Sequence, residues 1–295
     1  MPRRIAFLSN PFSGTGDGHV GRDTVIRHLR ASGADVSDIV GHSAEESLAQ
    51  VRRAIADGPD RVDAVVVSGG DGLVHLAVQA LAGTDVALGI IPAGSGNDAA
   101  RAFGIPLDDP IAAAEVIVRD RRRPVDLGRG GDRWFLTVLA TGFDALVAGR
   151  GSELRWPRGG LRYTAAVALE LPRFQPLHYT LALDGHERTL DAMMVSVANT
   201  EYFGGGMRIG LGGRHDDGLL DVIVIRPLSR LNLVRFFPTI NTGAHVHNPA
   251  YERIQARSVT IAINPPITSY ADGERFGEVP LTVECVPGAL QVITA

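Results

Sequence analysis

A chain of 295 residues is long enough for two ordinary domains, and 45% hydrophobic against 21% charged residues is a globular balance. A net charge of −4 leaves no global basic field for nucleic acid, and no apolar run reaches the ~20 residues of a spanning helix. The single cysteine, Cys285, excludes an internal disulfide and a thiolate zinc cluster. There is no lysine, so neither a Gly-Lys-Ser/Thr phosphate loop nor the strand lysine of a protein kinase can be built.

Residues 5–9 follow two arginines and are too short for a signal peptide, so they read as a first strand, and a cytoplasmic location is the expectation. Asn10-Pro11-Phe12-Ser13-Gly14 opens a loop of glycines and small hydroxyls that can offer amides to phosphate, or simply connect strand to helix. The pattern then predicts a helix over 22–31, a strand over 36–40 and a helix from 44 to about 56, started by the capping box Ser43-Ala44-Glu45-Glu46. Residues 64–67, Ala-Val-Val-Val, read as a strand buried on both faces. It runs into Ser68-Gly69-Gly70-Asp71-Gly72 and then a helix over 73–81, whose first amides and dipole suit an anion. A carboxylate beside such a turn suggests a metal ion between two negative groups; Asp71 as a plain helix cap fits the same residues. A second unit of this kind follows: a strand over 87–91, then Pro92-Ala93-Gly94-Ser95-Gly96-Asn97-Asp98, then a helix over 99–103. Two glycine turns at strand ends in a βαβα pattern predict a doubly wound, Rossmann-like sheet with its ligand at the carboxyl edge of the strands.

These three segments, in this order, resemble the nucleotide motifs of the diacylglycerol kinase catalytic-domain family, which includes bacterial lipid kinases and the sphingosine and ceramide kinases. Two positions depart from the common bacterial pattern, Leu73 for threonine and His75 for asparagine, and lean towards the sphingosine and ceramide version, whereas Asp98 returns to the diacylglycerol version.

Downstream the texture changes at Arg121-Arg122-Arg123-Pro124-Val125-Asp126. A strand over 134–140 leads to Thr141-Gly142-Phe143-Asp144-Ala145, similar to a family turn. A polar stretch over 150–162 precedes a helix to about 174. Residues 178–184 and 187–197 suggest a hairpin turned at Asp184-Gly185. The glycine-rich run 199–207 is again similar to the family, a helix is expected over 229–242, and four short strands over 258–263, 269–272, 280–284 and 289–293 end the chain. The expected architecture is an α/β nucleotide-binding domain over 1–125 and a β-sandwich lipid-binding domain with one or two helices over 126–295, its last strand free to return to the first domain, with the active site between them.

The resemblance implies an ATP-dependent lipid kinase using magnesium. It places Asn10, Pro11, Ser13, Gly14, His42, Ser43, Gly69, Gly70, Asp71, Gly72, Gly94, Ser95 and Asn97 around ATP. It makes Asp71, Asp272 and Glu274 the reacting carboxylates, with Glu274 favoured as proton acceptor, and assigns a magnesium site to Asp217 with the carbonyls of Arg214 and Leu219. Asp272 and Glu274 flank Gly273, and in an extended turn residues two apart point the same way. The acceptor is a lipid such as diacylglycerol, with a sphingosine- or ceramide-type lipid as the alternative. An NAD kinase also carries a Gly-Gly-Asp-Gly turn but should lack the 92–98 motif and the late Asp-Gly-Glu. A non-catalytic binding module would not need all three carboxylates. A lipid substrate without a spanning helix implies peripheral contact with a membrane. Arg150, Arg155, Trp156, Arg158 and Arg162 form a stretch suited to anionic headgroups. A homodimer is compatible with this reading.

Overall fold

The structure, a computed structural model, describes residues 3–9, 18–154, 156, 160–171 and 174–295, the side chains at 18–20, 152 and 160–164 aside. The chain divides into two compact units, residues 1–125 with 288–295, and residues 126–287.

In the first unit, β1 (Arg4–Ser9), α1 (Gly18–Ala31), β2 (Asp35–Val40), α2 (Ala44–Ile55), β3 (Ala64–Gly69), α3 (Asp71–Leu81) and β4 (Ala87–Pro92) alternate, followed by α4 (Asp98–Ala102) and α5 (Pro110–Arg119). The strands are parallel in the order β2-β1-β3-β4. β1, β3 and β4 are buried almost throughout, which is why they read as continuous apolar runs rather than as alternation. Right-handed crossovers put α1, packed with α5, on one face and α2, packed with α3, on the other. The helix α5 was not expected, although Asp109 caps it by accepting the amides of Ile111 and Ala112, and Pro110 opens its first turn.

β5 (Arg122–Gly130) leads into the second unit. There β6 (Arg133–Phe135), β7 (Val138–Gly142), α6 (Phe143–Glu153), α7 (Gly160–Glu170), β8 (Leu177–Leu183), β9 (His186–Ala192), β10 (Met194–Ala198), β11 (Leu220–Ile225), α8 (Arg230–Thr242), a 3-10 turn (Ala244–His247), β12 (Tyr251–Ala256), β13 (Ser258–Ile263), β14 (Thr268–Ala271) and β15 (Glu274–Glu278) follow. One antiparallel sheet has the order β12-β11-β10-β7-β14-β15. The other pairs β9, β8 and β13 with the first half of β16 (Leu281–Ile293). The second half of β16 belongs to the first unit, where Gln291 and Val292 lie parallel to Ala87 and Leu88.

Alternation along the strands builds two cores. On β11, Leu220, Val222 and Val224 point into the sandwich with Phe135, Tyr179, Ile261 and Val283. Ile223 and Ile225 point the other way, against Phe143 of α6, Ala166 of α7 and Leu233, Phe236, Phe237 and Ile240 of α8. This unit therefore carries three α-helices among the described residues, not one or two. α6 was hidden by its glycines, Gly149 and Gly151, which are poor helix formers. The expected single strand over 134–140 is two, β6 and β7, and the expected 187–197 strand is β9 and β10, which enter different sheets.

Candidate active site

In the first unit, β3 and β4 lie side by side with Gly69 opposite Pro92, so both glycine turns leave the same edge of the sheet. Gly70 is the N-cap of α3, with φ −95° and ψ −173°, and Asp71 is its first residue. The two turns meet through bare backbone: a Cβ on Gly94 would lie 2.4 Å from the Gly70 Cα. No side chain fits there. Asn97 is left-handed, φ 57°, and closes the second turn on itself: its Oδ1 accepts the Gly94 amide at 2.9 Å and its Nδ2 donates to the Gly94 carbonyl at 2.8 Å. Asp71 ties one turn to the other, its Oδ1 accepting the amides of Asp98 at 2.7 Å and Ala99 at 3.4 Å. Gly69, Gly70, Asp71, Gly72, Gly94, Ser95 and Asn97 are thus gathered at one place, with the Ser95 side chain exposed. Leu73, one of the departures from the bacterial pattern, folds over Gly69, where an added Cβ would come within 2.8 Å of its Cδ2. Asp98, the position that returns to the diacylglycerol version, is buried at the start of α4, its amide donating to Asp71.

Ser43 and His42 start α2. The Ser43 hydroxyl accepts the Glu46 amide at 3.1 Å, and the Glu46 carboxylate reaches back to the His42 amide at 2.9 Å, one residue beyond a standard capping box. Asn10, Pro11, Ser13 and Gly14 lie outside the described residues.

In the second unit, the β14–β15 hairpin turns on Asp272 and Gly273, both at positive φ, 53° and 84°, the signature of a type I′ turn. The turn is not extended, so Asp272 and Glu274 do not share a direction. Asp272 is bound inward: its carboxylate accepts the Leu136 amide at 3.0 Å, the Thr137 amide at 2.7 Å and the Thr137 hydroxyl at 2.6 Å. Those two amides are withdrawn from strand pairing, which is why the chain breaks between β6 and β7. The Glu274 side chain is exposed and, among the described residues, no hydrogen bond or ion pair holds it.

Arg214, Asp217 and Leu219 sit on one loop before β11. Asp217 Oδ1 accepts the Leu219 amide at 3.1 Å, and Arg214 pairs with Asp216 at 3.1 Å. Beneath the loop, buried Asp126 accepts the Gly218 amide at 2.7 Å. Burial, with Asp126 and Asp217 nearby, pushes the Cys285 thiol up to about 12, so it stays protonated. Among the described residues no group of three or more His, Cys, Asp or Glu is placed to hold a metal ion.

Two family models match most of the chain. Residues 4–130 match the diacylglycerol kinase catalytic domain, and residues 137–294 match the YegS C-terminal NAD kinase beta sandwich-like domain. A diacylglycerol kinase of Mycobacterium tuberculosis is 43% identical over 98% of this chain and 94% of its own. The chain belongs to the diacylglycerol kinase family. It is a phosphotransferase of the lipid-kinase class, and the resemblance read from its three motifs is borne out. The kinase shares its fold with a diacylglycerol kinase from Bacillus anthracis, at TM-score 0.79 and 22% identity over 99% of this chain and 97% of that one. It shares it more distantly with an NAD kinase from Archaeoglobus fulgidus, at TM-score 0.54 and 15% identity over 99% and 93%. No described helix of the kinase is long and apolar enough to cross a membrane.

Proposed function

We propose that this kinase transfers the γ-phosphoryl group of ATP to the hydroxyl of diacylglycerol. The reading is carried by the pair of glycine turns stapled by Asp71 at one sheet edge, in a chain whose mycobacterial relative is a diacylglycerol kinase. ATP supplies the phosphoryl group; the protein's part is positioning and charge neutralisation. Amides at the start of α3, the Ser95 hydroxyl, and Asn10 and Ser13 with their neighbours Pro11 and Gly14, hold its phosphates. Asn97 acts through Gly94, and Asp71 fixes the spacing of the two turns and adds negative charge beside them. His42 and Ser43 flank the nucleotide from the start of α2.

The Asp217 carboxylate with the carbonyls of Arg214 and Leu219 is a hard-oxygen set that suits magnesium. With one side-chain ligand, most of the metal's shell there would be carbonyl and water. Glu274 accepts the proton of the lipid hydroxyl, being the exposed carboxylate of the pair, and Asp272 positions the turn that carries it. Because the acceptor is a lipid, the enzyme works at a membrane surface.

Purified protein with ATP and magnesium, offered diacylglycerol, sphingosine, ceramide and NAD in parallel, tests the acceptor. The expected result is a kcat/KM for diacylglycerol at least about tenfold above the others, the scale of one well-made acceptor contact. A higher value on sphingosine or ceramide moves the assignment to the other branch. Turnover on NAD alone overturns it.

A further inference from the structure

We propose that the outward face of α8 is a docking surface for an anionic phospholipid bilayer. Its purpose rests on the lipid-kinase reading; its test does not. Membrane contact was expected on the 150–162 stretch, but Arg150 is paired with Glu153 at 2.9 Å and Glu170 at 2.6 Å. Arg155 and Arg158 lie outside the described residues.

Five large apolar residues are exposed among the described residues: Leu146, Trp156, Leu169, Leu231 and Val234. Singly, such residues are ordinary. Here all five belong to one helical layer: Leu146 on α6, Trp156 between α6 and α7, Leu169 on α7, and Leu231 and Val234 on α8. Among the described residues, neither the sandwich strands nor the first unit contributes one.

α8 carries two of the five. Leu233, Phe236, Phe237 and Ile240 bury its inner face. Leu231 and Val234, 59% and 48% exposed, make a second apolar stripe outward at helical spacing, continued by exposed Pro238. Arg230 and Arg235 are exposed beside this stripe, and no acid occurs in the 13 residues of the helix. Among the described residues neither arginine makes an ion pair. An outer apolar stripe with arginines beside it and no counter-charge is the composition of a helix that lies in a bilayer interface. The arginines select anionic headgroups.

The test is sedimentation of the full chain with vesicles of phosphatidylcholine, with and without phosphatidylglycerol, in the absence of ATP and diacylglycerol. The protein is expected to sediment with the anionic vesicles and far less with the neutral ones. Leu231→Ser with Val234→Ser should weaken anionic binding at least about tenfold, since two apolar side chains no longer enter the interface. Arg230→Gln with Arg235→Gln should weaken it about fivefold per arginine and remove the preference for anionic lipid. All four side chains are exposed, so melting temperatures should hold, and turnover of a water-dispersed short-chain diacylglycerol should be unchanged. Wild type that ignores anionic vesicles overturns the proposal, as do variants that bind like wild type. A serine pair that converts a dimer to a monomer without changing vesicle binding also overturns it and assigns the face to a second copy of the chain. Because these vesicles carry no substrate, docking without turnover would sink the diacylglycerol reading and leave the surface standing; turnover without docking would do the reverse.

Discussion

Asp272 and Glu274 stand on either side of Gly273, and their surroundings give them different work. The Asp272 carboxylate is committed to three donors of Leu136 and Thr137. Hydrogen bonds to a charged group are worth about 1.5–3 kcal/mol each, so Asp272→Asn, which loses the charge and turns a donor towards an amide, should lower unfolding free energy by about that much. Urea denaturation reads it directly; an unchanged midpoint would mean the turn is held by other contacts. Glu274→Gln should leave the midpoint where it is and cut turnover about 100- to 10,000-fold while ATP still binds. If instead Glu274→Gln turns over normally and Asp71→Asn or Asp272→Asn is dead, Glu274 is not the proton acceptor and the dead position becomes the better candidate. The Gly-Gly-Asp-Gly and Ala-Gly-Ser-Gly-Asn-Asp segments could be read from the sequence because each is a short contiguous signal. The anchoring of Asp272 could not, since its partners lie 135 and 136 residues away.

At the scale of elements, the two strand–turn–helix units work as a pair because their turns touch. Gly94→Ala puts a Cβ 2.4 Å from the Gly70 Cα, and backbone on both sides cannot yield cheaply. The substitution should separate the turns and weaken ATP binding by more than tenfold, about the effect of losing one 1.4 kcal/mol interaction or more. Calorimetric titration with ATP checks it, and unaltered affinity would detach these turns from the nucleotide. Asp109→Ala should cost about 1 kcal/mol through the cap of α5, read as a lowered urea midpoint. β1, β3 and β4 were legible because burial on both faces leaves an unbroken apolar run. α5 carries a readable signal in Asp109-Pro110, a cap followed by proline in the first turn. α6 carried almost none: its glycines argue against a helix, and packing against α7, β7 and β14 sustains it. The Asp184-Gly185 hairpin was legible from its turn residues, both of which take the positive φ expected of them, 48° and 86°.

Across the whole molecule, stability should depend on pH through His245. Its ring is fully buried, edge-on to Phe236 and Tyr251, with Nε2 3.2 Å from the Ile209 carbonyl. Burial pulls its pKa below the usual imidazole value, and the carbonyls of Ile209 and Thr239 oppose that only in part. The unfolded chain therefore takes up this proton first, near pH ~6.5. The contribution of His245 is fully present above that pH and is lost as pH falls towards the lowered folded value. Urea midpoints should drop between about pH 7.5 and 5.5, and His245→Gln should flatten that drop. An equal slope in both proteins would contradict it. The class of each unit was readable, parallel α/β and then antiparallel β. The sharing of β16 between the units is not legible, because an apolar strand does not name its neighbour. Phosphoryl transfer from ATP to a lipid hydroxyl is tested by incubating wild type and Glu274→Gln with γ-labelled ATP, magnesium and diacylglycerol, followed by chromatography of the lipid fraction. Label should enter a phosphorylated lipid with wild type and be nearly absent with Glu274→Gln; a wild-type lipid fraction without label would contradict the account.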